Sequence, residues 1–376
     1  MTWITSTAST GRRGLVTVGL LTAAATVGAL GLASPAAAYP AVPAPENSTV
    51  GTGPANTNFP AAFAQSFVTP DAAPIGANDW DCKPSAEHPR PVVLVHGTWE
   101  NAYDNWSGVA PALKAEGYCV FALNYGKSDL VNKGGAGEVL PNTNGTKAIE
   151  LSAKELATYV DAVLDRTGAE QVDLVGHSQG GIAARQYLKF EGGTDASDPS
   201  KNKVKNVVTL GATNHGTSLL GIGTLDRQIR DLGLNLDPAL DYVVGESGIQ
   251  QVYDSPFLNA LNEGGDTQPG VNYTVIGTRY DEVTNPYEWT FLEAGPDATV
   301  RNVTLQDGCA ADLSDHLSMT YSPRAIDWIK HGLDPEGFAA DQVVCTGNSP
   351  VFGNSEGGAA AGPATESAQA GSSTGS

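Results

Sequence analysis

The chain has 376 residues, 41% of them hydrophobic and 16% charged, a balance that suits one large or two ordinary globular domains and excludes a low-complexity chain. A net charge of −20 repels a phosphate backbone, which disfavours nucleic acid as a partner and leaves an uncharged ester compatible with the surface. The acidity otherwise serves solubility.

At the start of the chain, Arg12-Arg13 precede an apolar stretch over 14–32, and Ala36-Ala37-Ala38 offers a small-residue cleavage site before Tyr39. This is the pattern of a secretory signal over residues 1–38. The paired arginines suit export in the folded state, but Gly11 stands where a polar residue usually precedes such a pair, so the unfolded-state route fits equally. A permanent membrane anchor is the competing reading; the Gly, Ala and Thr content and the cleavage site argue against it. Cleavage removes two arginines and no carboxylate, leaving the exported chain two units more negative.

Residues 39–74 are rich in Ala, Pro, Asn and Thr without sustained periodicity and read as an extended N-terminal arm. From 75 to 345, β-rich apolar runs alternate with helical ones, which predicts one α/β catalytic domain with a mostly parallel central sheet flanked by helices. Strands are expected at 91–95, 119–124, 172–175, 204–210, 271–276 and 300–305. One helix is expected over 105–116, and a longer one runs through Ile149, Ala153, Leu156, Val160 and Val163 to a C-cap at Gly168. Ser322-Pro323 opens the last, through Ile326 and Ile329. Residues 217–269 break the alternation. Ile222, Leu225, Ile229 and Leu232 recur there at helical spacing, and Ser255-Pro256-Phe257-Leu258 adds a second helix start. This segment reads as a helical, lid-like insertion whose apolar face either packs on the domain or roofs a pocket. Residues 346–376, dominated by Gly, Ser and Ala, read as a flexible tail.

Cys82, Cys119, Cys309 and Cys345 are an even set in an exported chain, where oxidising conditions favour disulfides. Cys82 precedes one core strand and Cys119 opens the next, while Cys309 and Cys345 bracket the last loop and the end of the fold. The expected pairs are therefore Cys82 with Cys119 and Cys309 with Cys345. No spacing resembles a metal site, and no cofactor is implied.

The chemistry centres on Val172-Asp173-Leu174-Val175-Gly176-His177-Ser178-Gln179-Gly180-Gly181, an apolar run leading through Gly-x-Ser-x-Gly into a helical pattern with Ile182, Ala183 and Tyr187 on one face. Ser178 thus falls at a strand-to-helix turn whose tightness requires small residues at 176 and 180. A serine hydroxyl needs a base to take its proton and fixed donors to receive charge on the substrate oxygen. The Gln179 amide, opening the helix, is one such donor. The Thr98 amide, in His96-Gly97-Thr98-Trp99 after the first core strand, is the second, because loops at the carboxyl ends of the strands converge.

Among the histidines, His88 precedes the first core strand and His331 ends the last helix. His96 reads as a support for its loop. His177 is next to the nucleophile, with its side chain directed away from it, and His215 follows a strand but precedes the expected acid. His316 follows the final strand and is the expected base. Asp281, after the strand that follows the insertion, is the expected orienting acid, with Glu282, Asp307 and Asp315 as rivals. The order Ser178, Asp281, His316 is that of the α/β-hydrolase triad.

On these motifs, together with Val93-Leu94-Val95-His96-Gly97-Thr98, Gly117-Tyr118-Cys119-Val120-Phe121-Ala122-Leu123-Asn124-Tyr125-Gly126, Leu210-Gly211-Ala212-Thr213-Asn214-His215-Gly216 and Thr278-Arg279-Tyr280-Asp281-Glu282, the chain resembles the secreted actinobacterial class 2 lipases of the α/β-hydrolase superfamily. The resemblance covers the region from Trp80 to Cys345. It implies a secreted carboxylic-ester hydrolase acting on lipids or other acyl esters, in some cases at an oil–water interface, with Ser178 as nucleophile, His316 as base, Asp281 as its acid, and Thr98 and Gln179 as oxyanion donors. At Thr284-Asn285 the chain is more polar than the resemblance leads one to expect. The same triad serves an acyltransferase, in which an alcohol replaces water, and a non-catalytic cell-surface protein is the reading from another class.

Overall fold

Val92–Val95 (β1) is apolar at every position because both faces of the sheet are covered. Val93 and Val95 join one core cluster, with Phe121, Leu174, Val207 and Val275 from neighbouring strands. Val92 and Leu94, pointing the other way, join a second cluster with Ala122, Val175, Val208 and Ile276. The computed structural model describes residues 49, 51–128, 140, 142–218, 221 and 240–353.

Among these residues the sheet continues with Val120–Leu123 (β2), Val172–His177 (β3), Val204–Leu210 (β4), Asn272–Gly277 (β5) and Thr299–Thr304 (β6). All pairings are parallel, in the order β2-β1-β3-β4-β5-β6. Strand ends differ from the sequence expectation by one or two residues, where inter-strand pairing fades. The register is what positions the site. Val95 lies level with Gly176, His177 with Leu210, and Leu210 with Ile276, so the loops after β1, β3, β4 and β5 leave the sheet side by side.

On the first face lie Ile149–Thr167 (α4) and Gln179–Phe190 (α5), which bury Ile149, Ala153, Leu156, Val160 and Val163, and Ile182, Ala183 and Tyr187. Gly168 closes α4 in the left-handed region at φ 76°. On the second face lie Ala102–Trp106 (α2), Val109–Ala115 (α3) and Pro323–Leu333 (α8), the last opened by Ser322 as N-cap.

The single helix expected over 105–116 is therefore two. Asn101 starts α2 early, its side chain accepting from the Tyr103 and Asp104 amides in a capping box. The break falls at Ser107-Gly108, where a Cβ on Gly108 would sit 2.9 Å from the Thr320 carbonyl oxygen. The arm also departs from expectation. Phe59–Ser66 (α1) is a helix capped by Asn58, and its Phe59 and Phe63 pack with Trp99, Tyr103, Leu317 and Tyr321. An aromatic pair four residues apart supplies the apolar face that the polar surroundings hid.

Disulfides join Cys82 to Cys119 and Cys309 to Cys345. The first described residues of the presumed tail are packed as well: Asn348 is buried and bridges Asp312, and the Val351 amide donates to Asp315. Within the insertion, Leu240–Gln250 (α6) is kinked at Gly245, and Pro256–Asn262 (α7) buries Phe257, Leu258 and Leu261 in the core beside α5. This second helix start thus packs on the domain. The stripe of Ile222, Leu225, Ile229 and Leu232 lies outside the described residues, as do residues 1–38. Among the described residues no helix is long and apolar enough to cross a membrane.

Candidate active site

The turn between β3 and α5 holds Ser178 at φ 52° and ψ −123°, a conformation that L-residues adopt only under constraint. The constraint is crowding. A Cβ on Gly176 would come 2.7 Å from the Gly180 carbonyl group, and one on Gly180 would collide with the Val95 carbonyl of β1. With glycine at both positions the helix presses against the strand ends and presents the hydroxyl above them. Gln179 is the first residue of α5, so its amide has no partner within the helix and joins the positive end of its dipole.

Ser178 Oγ lies 2.9 Å from His316 Nε2. His316 Nδ1 lies 3.0 Å from each carboxylate oxygen of Asp281. All three are buried, Ser178 and Asp281 at no more than 5% exposure and His316 at zero. Burial alone would lower the His316 pKa, but the Asp281 charge and hydrogen bond, with Glu282 and Glu100 behind them, outweigh it and raise it to about 9.

Asp281 is itself held in place. Its Oδ1 accepts from the Val283 and Thr284 amides at 3.0 and 2.7 Å, and the Thr284 hydroxyl donates to the Gly211 carbonyl at 2.9 Å. The unexpectedly polar Thr284 is thus a fastening for the loop that carries Asp281. The rival carboxylates are engaged elsewhere: Asp315 accepts from the Ser318 and Val351 amides, and Asp307 pairs with Arg279. Glu282 is half-buried, and burial, then the negative charge of Asp315, push its pKa up to about 7.

The loop after β1 brings Thr98 beside Gln179. Gln179 Nε2 donates to Thr98 Oγ1 at 3.1 Å and to the Gly145 carbonyl at 2.7 Å. Gln251, directly after α6 in the insertion, donates to the same Thr98 oxygen at 2.9 Å and accepts from Thr213. His96 stacks on Tyr125 with ring centroids 4.2 Å apart, its Nδ1 2.8 Å from the Gly97 carbonyl and its Nε2 3.3 Å from the Tyr125 amide. Burial pulls its pKa down to about 4, so it is a neutral brace at working pH. His88 stacks on Tyr118, His331 bonds the Phe338 carbonyl, and His215 bridges Trp289 and Asp266. His177 bonds the His316 carbonyl.

The arrangement therefore joins Ser178, His316 and Asp281, with the loops carrying Thr98 and Gln179 alongside. Sequence reasoning did not reach Glu100, Tyr125 or Gln251, whose roles rest on contacts across 77, 54 and 153 positions. Among the described residues no three His, Cys, Asp or Glu side chains converge as a metal site.

A parallel sheet with helices on both faces and a serine on the tight turn after its central strand defines an α/β-hydrolase. Residues 89–295, over half of the chain, match the family described as lipase (class 2), and the chain belongs to that family. It is similar to a triacylglycerol lipase of Pseudarthrobacter phenanthrenivorans, 31% identical over 132 residues that cover 34% of each chain. A triacylglycerol lipase of Burkholderia plantarii matches at 31% over 132 residues, 34% of this chain and 30% of that one. The matched stretch spans about a third of the length of these curated relatives. Among solved structures, lipase B of Aspergillus fumigatus aligns with a TM-score of 0.49 and 19% identity, over 72% of this chain and 61% of that one.

Proposed function

We propose that the chain is an exported serine hydrolase that cleaves carboxylic esters of lipids through an acyl-enzyme. The observation that carries this reading is the unbroken hydrogen-bond chain from Ser178 Oγ through His316 to Asp281 at a constrained strand-to-helix turn. His316 Nε2 takes the hydroxyl proton as Oγ attacks the ester carbonyl carbon. The Thr98 and Gln179 amides receive the oxyanion, and the imidazolium returns the proton to the departing alcohol. Water then attacks the acyl carbonyl carbon as His316 Nε2 takes its proton, and the imidazolium returns that proton to Oγ as the Oγ–C bond breaks, releasing the acid and free Ser178. Asp281 keeps the Nδ1 hydrogen in place and stabilises the imidazolium.

Membership of the class 2 lipases supports ester or lipid substrates, and two disulfides support an oxidising, extracellular destination for residues 39–376 after removal of 1–38. A fluorophosphonate probe with peptide mapping, alongside hydrolysis of a chain-length series of p-nitrophenyl and glycerol esters below and above their solubility limits, tests the reading. Covalent label on Ser178 and turnover of long-chain emulsified esters are expected. Unlabelled, folded protein that turns over no ester would refute it.

The base must be neutral to accept a proton, and its pKa is raised to about 9. Below that value the competent fraction falls about tenfold per pH unit. On a soluble short-chain ester, kcat/KM is therefore expected to climb from about pH 6, reach half its limit near pH 9 and level off only above about pH 10. An acid limb at the ordinary histidine value of about 6.5 would show that Asp281 exerts no net pull on His316.

A further inference from the structure

Beneath the Ser178 turn lies a second pair of carboxylate and imidazole that the reaction sequence above does not use. Glu100 comes from the loop after β1 and His177 ends β3; their side chains are 1% and 0% exposed, and Glu100 Oε2 lies 3.0 Å from His177 Nδ1. Each member also grips a different half of the site. The Gly97 amide, one residue before Thr98, donates to the same Glu100 Oε2 at 2.9 Å. On the other side, His177 Nε2 lies 2.9 Å from the His316 carbonyl oxygen, and because a carbonyl only accepts, Nε2 carries the hydrogen. Asn105 closes the cluster, its side-chain amide 2.9 Å from His177 Nδ1.

Two features show that this cluster is built around the site. A Cβ on residue 97 would collide with Glu100 Oε2 and stand 3.1 Å from Ser178 Cβ, so the glycine is what lets the carboxylate come in under the nucleophile. The second is the character of the pair itself. Two buried ionisable groups in contact contribute little or nothing to stability relative to apolar side chains of the same volume, so packing alone does not account for them.

We propose that Glu100 and His177 are positioning residues that lock the oxyanion loop to the base loop, fixing the Gly97-Thr98 backbone and the His316 backbone in one geometry relative to Ser178. The proposal rests on the triad reading above. Donor amides and a general base accelerate the reaction only when held within a fraction of an ångström of the transition state. Glu100 links the two loops through a single oxygen, with the His177 ring, 4.9 Å from that of His316, as the connecting strut.

The test compares Glu100→Gln, His177→Gln and His177→Leu with Ser178→Ala and the parent protein. Each is assayed for Tm and for kcat, KM and the pH profile of kcat/KM on a soluble p-nitrophenyl ester. Glu100→Gln is expected to lower kcat by about ten- to a hundredfold with KM nearly unchanged. Its acid limb should move to lower pH, since one of the negative charges facing His316 is gone. Those facing groups are Asp281 and Glu282 after β5, Glu100 after β1, and His177 at the end of β3, with the neighbouring Asp315 turned to the Ser318 and Val351 amides. His177→Gln keeps an N–H near the His316 carbonyl and should retain more of kcat than His177→Leu, a rescue that simple packing does not predict.

Folded Glu100→Gln with unchanged kcat and an unmoved acid limb would overturn the proposal, whatever its Tm. Should Glu100→Gln fail to fold, the His177 pair decides: equal kcat in His177→Gln and His177→Leu overturns the proposal, and the ordered loss supports it. Turnover surviving in Ser178→Ala would instead overturn the triad reading, so the two failures are distinct.

Discussion

Ser178→Ala is expected to lower kcat by about 10⁶-fold, roughly 8 kcal/mol of transition-state stabilisation, while the protein stays folded. The size follows from the covalent step. On the proposed mechanism, without Oγ no acyl-enzyme forms, and His316 and Asp281 have no hydroxyl proton to move. What remains is the donor pair and ester binding, which alone give a small acceleration over water. The fold should tolerate the change because Ala meets the same backbone restriction as Ser at φ 52°, and the glycines that impose the turn are untouched. The lost hydrogen bond to His316 Nε2 costs about 1 kcal/mol. Activity and fluorophosphonate labelling are measured on protein whose Tm is close to that of the parent. A variant retaining even one per cent of kcat would remove Ser178 from the nucleophile's place.

The sheet was legible because each central strand is covered on both faces. A run such as Val92 to Val95 needs no alternation to be recognised, and six β-rich runs separated by helical or turn segments, only the edge strand β6 being largely exposed, leave little freedom in topology. Short aromatic pairs were harder to read. Phe59 and Phe63 make a helix of the arm only because Trp99, Tyr103 and Tyr321 lie above them, and those partners come from distant loops. The close approach at Gly108 is of the same kind, since the Thr320 carbonyl that leaves no room for a Cβ there is 212 positions away.

In the candidate site, the meeting of Ser178, Asp281 and His316 was legible because each follows a strand, and parallel strands deliver their following loops to one edge. Glu100 and Gln251 follow no such rule. Glu100 lies three residues beyond Gly97 with nothing local to mark it as buried, and its carboxylate acquires meaning only when His177 is seen to reach the His316 backbone. Gln251 belongs to an insertion without strand periodicity, yet it ends on the Thr98 hydroxyl. Thr284 is the instructive case. The resemblance leads one to expect an apolar residue there; in the fold its amide donates to Asp281 and its hydroxyl to the Gly211 carbonyl, fastening the loop after β5.

Asp281→Asn should lower kcat by about 10⁴-fold with little change in fold. Asp281 Oδ1 already accepts the Val283 and Thr284 amides, so an asparagine must place its oxygen there and its NH₂ at the Oδ2 position, 3.0 Å from His316 Nδ1. An N–H₂ facing Nδ1 favours the tautomer with the hydrogen on Nε2, and that tautomer cannot accept the Ser178 proton. The substitution also removes the charge chiefly responsible for raising the His316 pKa, leaving burial to pull it down from about 9. The expected result is thus a low kcat together with an acid limb displaced to lower pH, a combination that general destabilisation does not produce. Glu282→Gln serves as the comparison. It removes a nearby charge without touching the Nδ1 contact, so it should shift the limb slightly and leave kcat within about threefold. If the losses were reversed, with Glu282→Gln severe and Asp281→Asn mild, Glu282 would be the orienting acid, and the contact between Asp281 and His316 would be incidental.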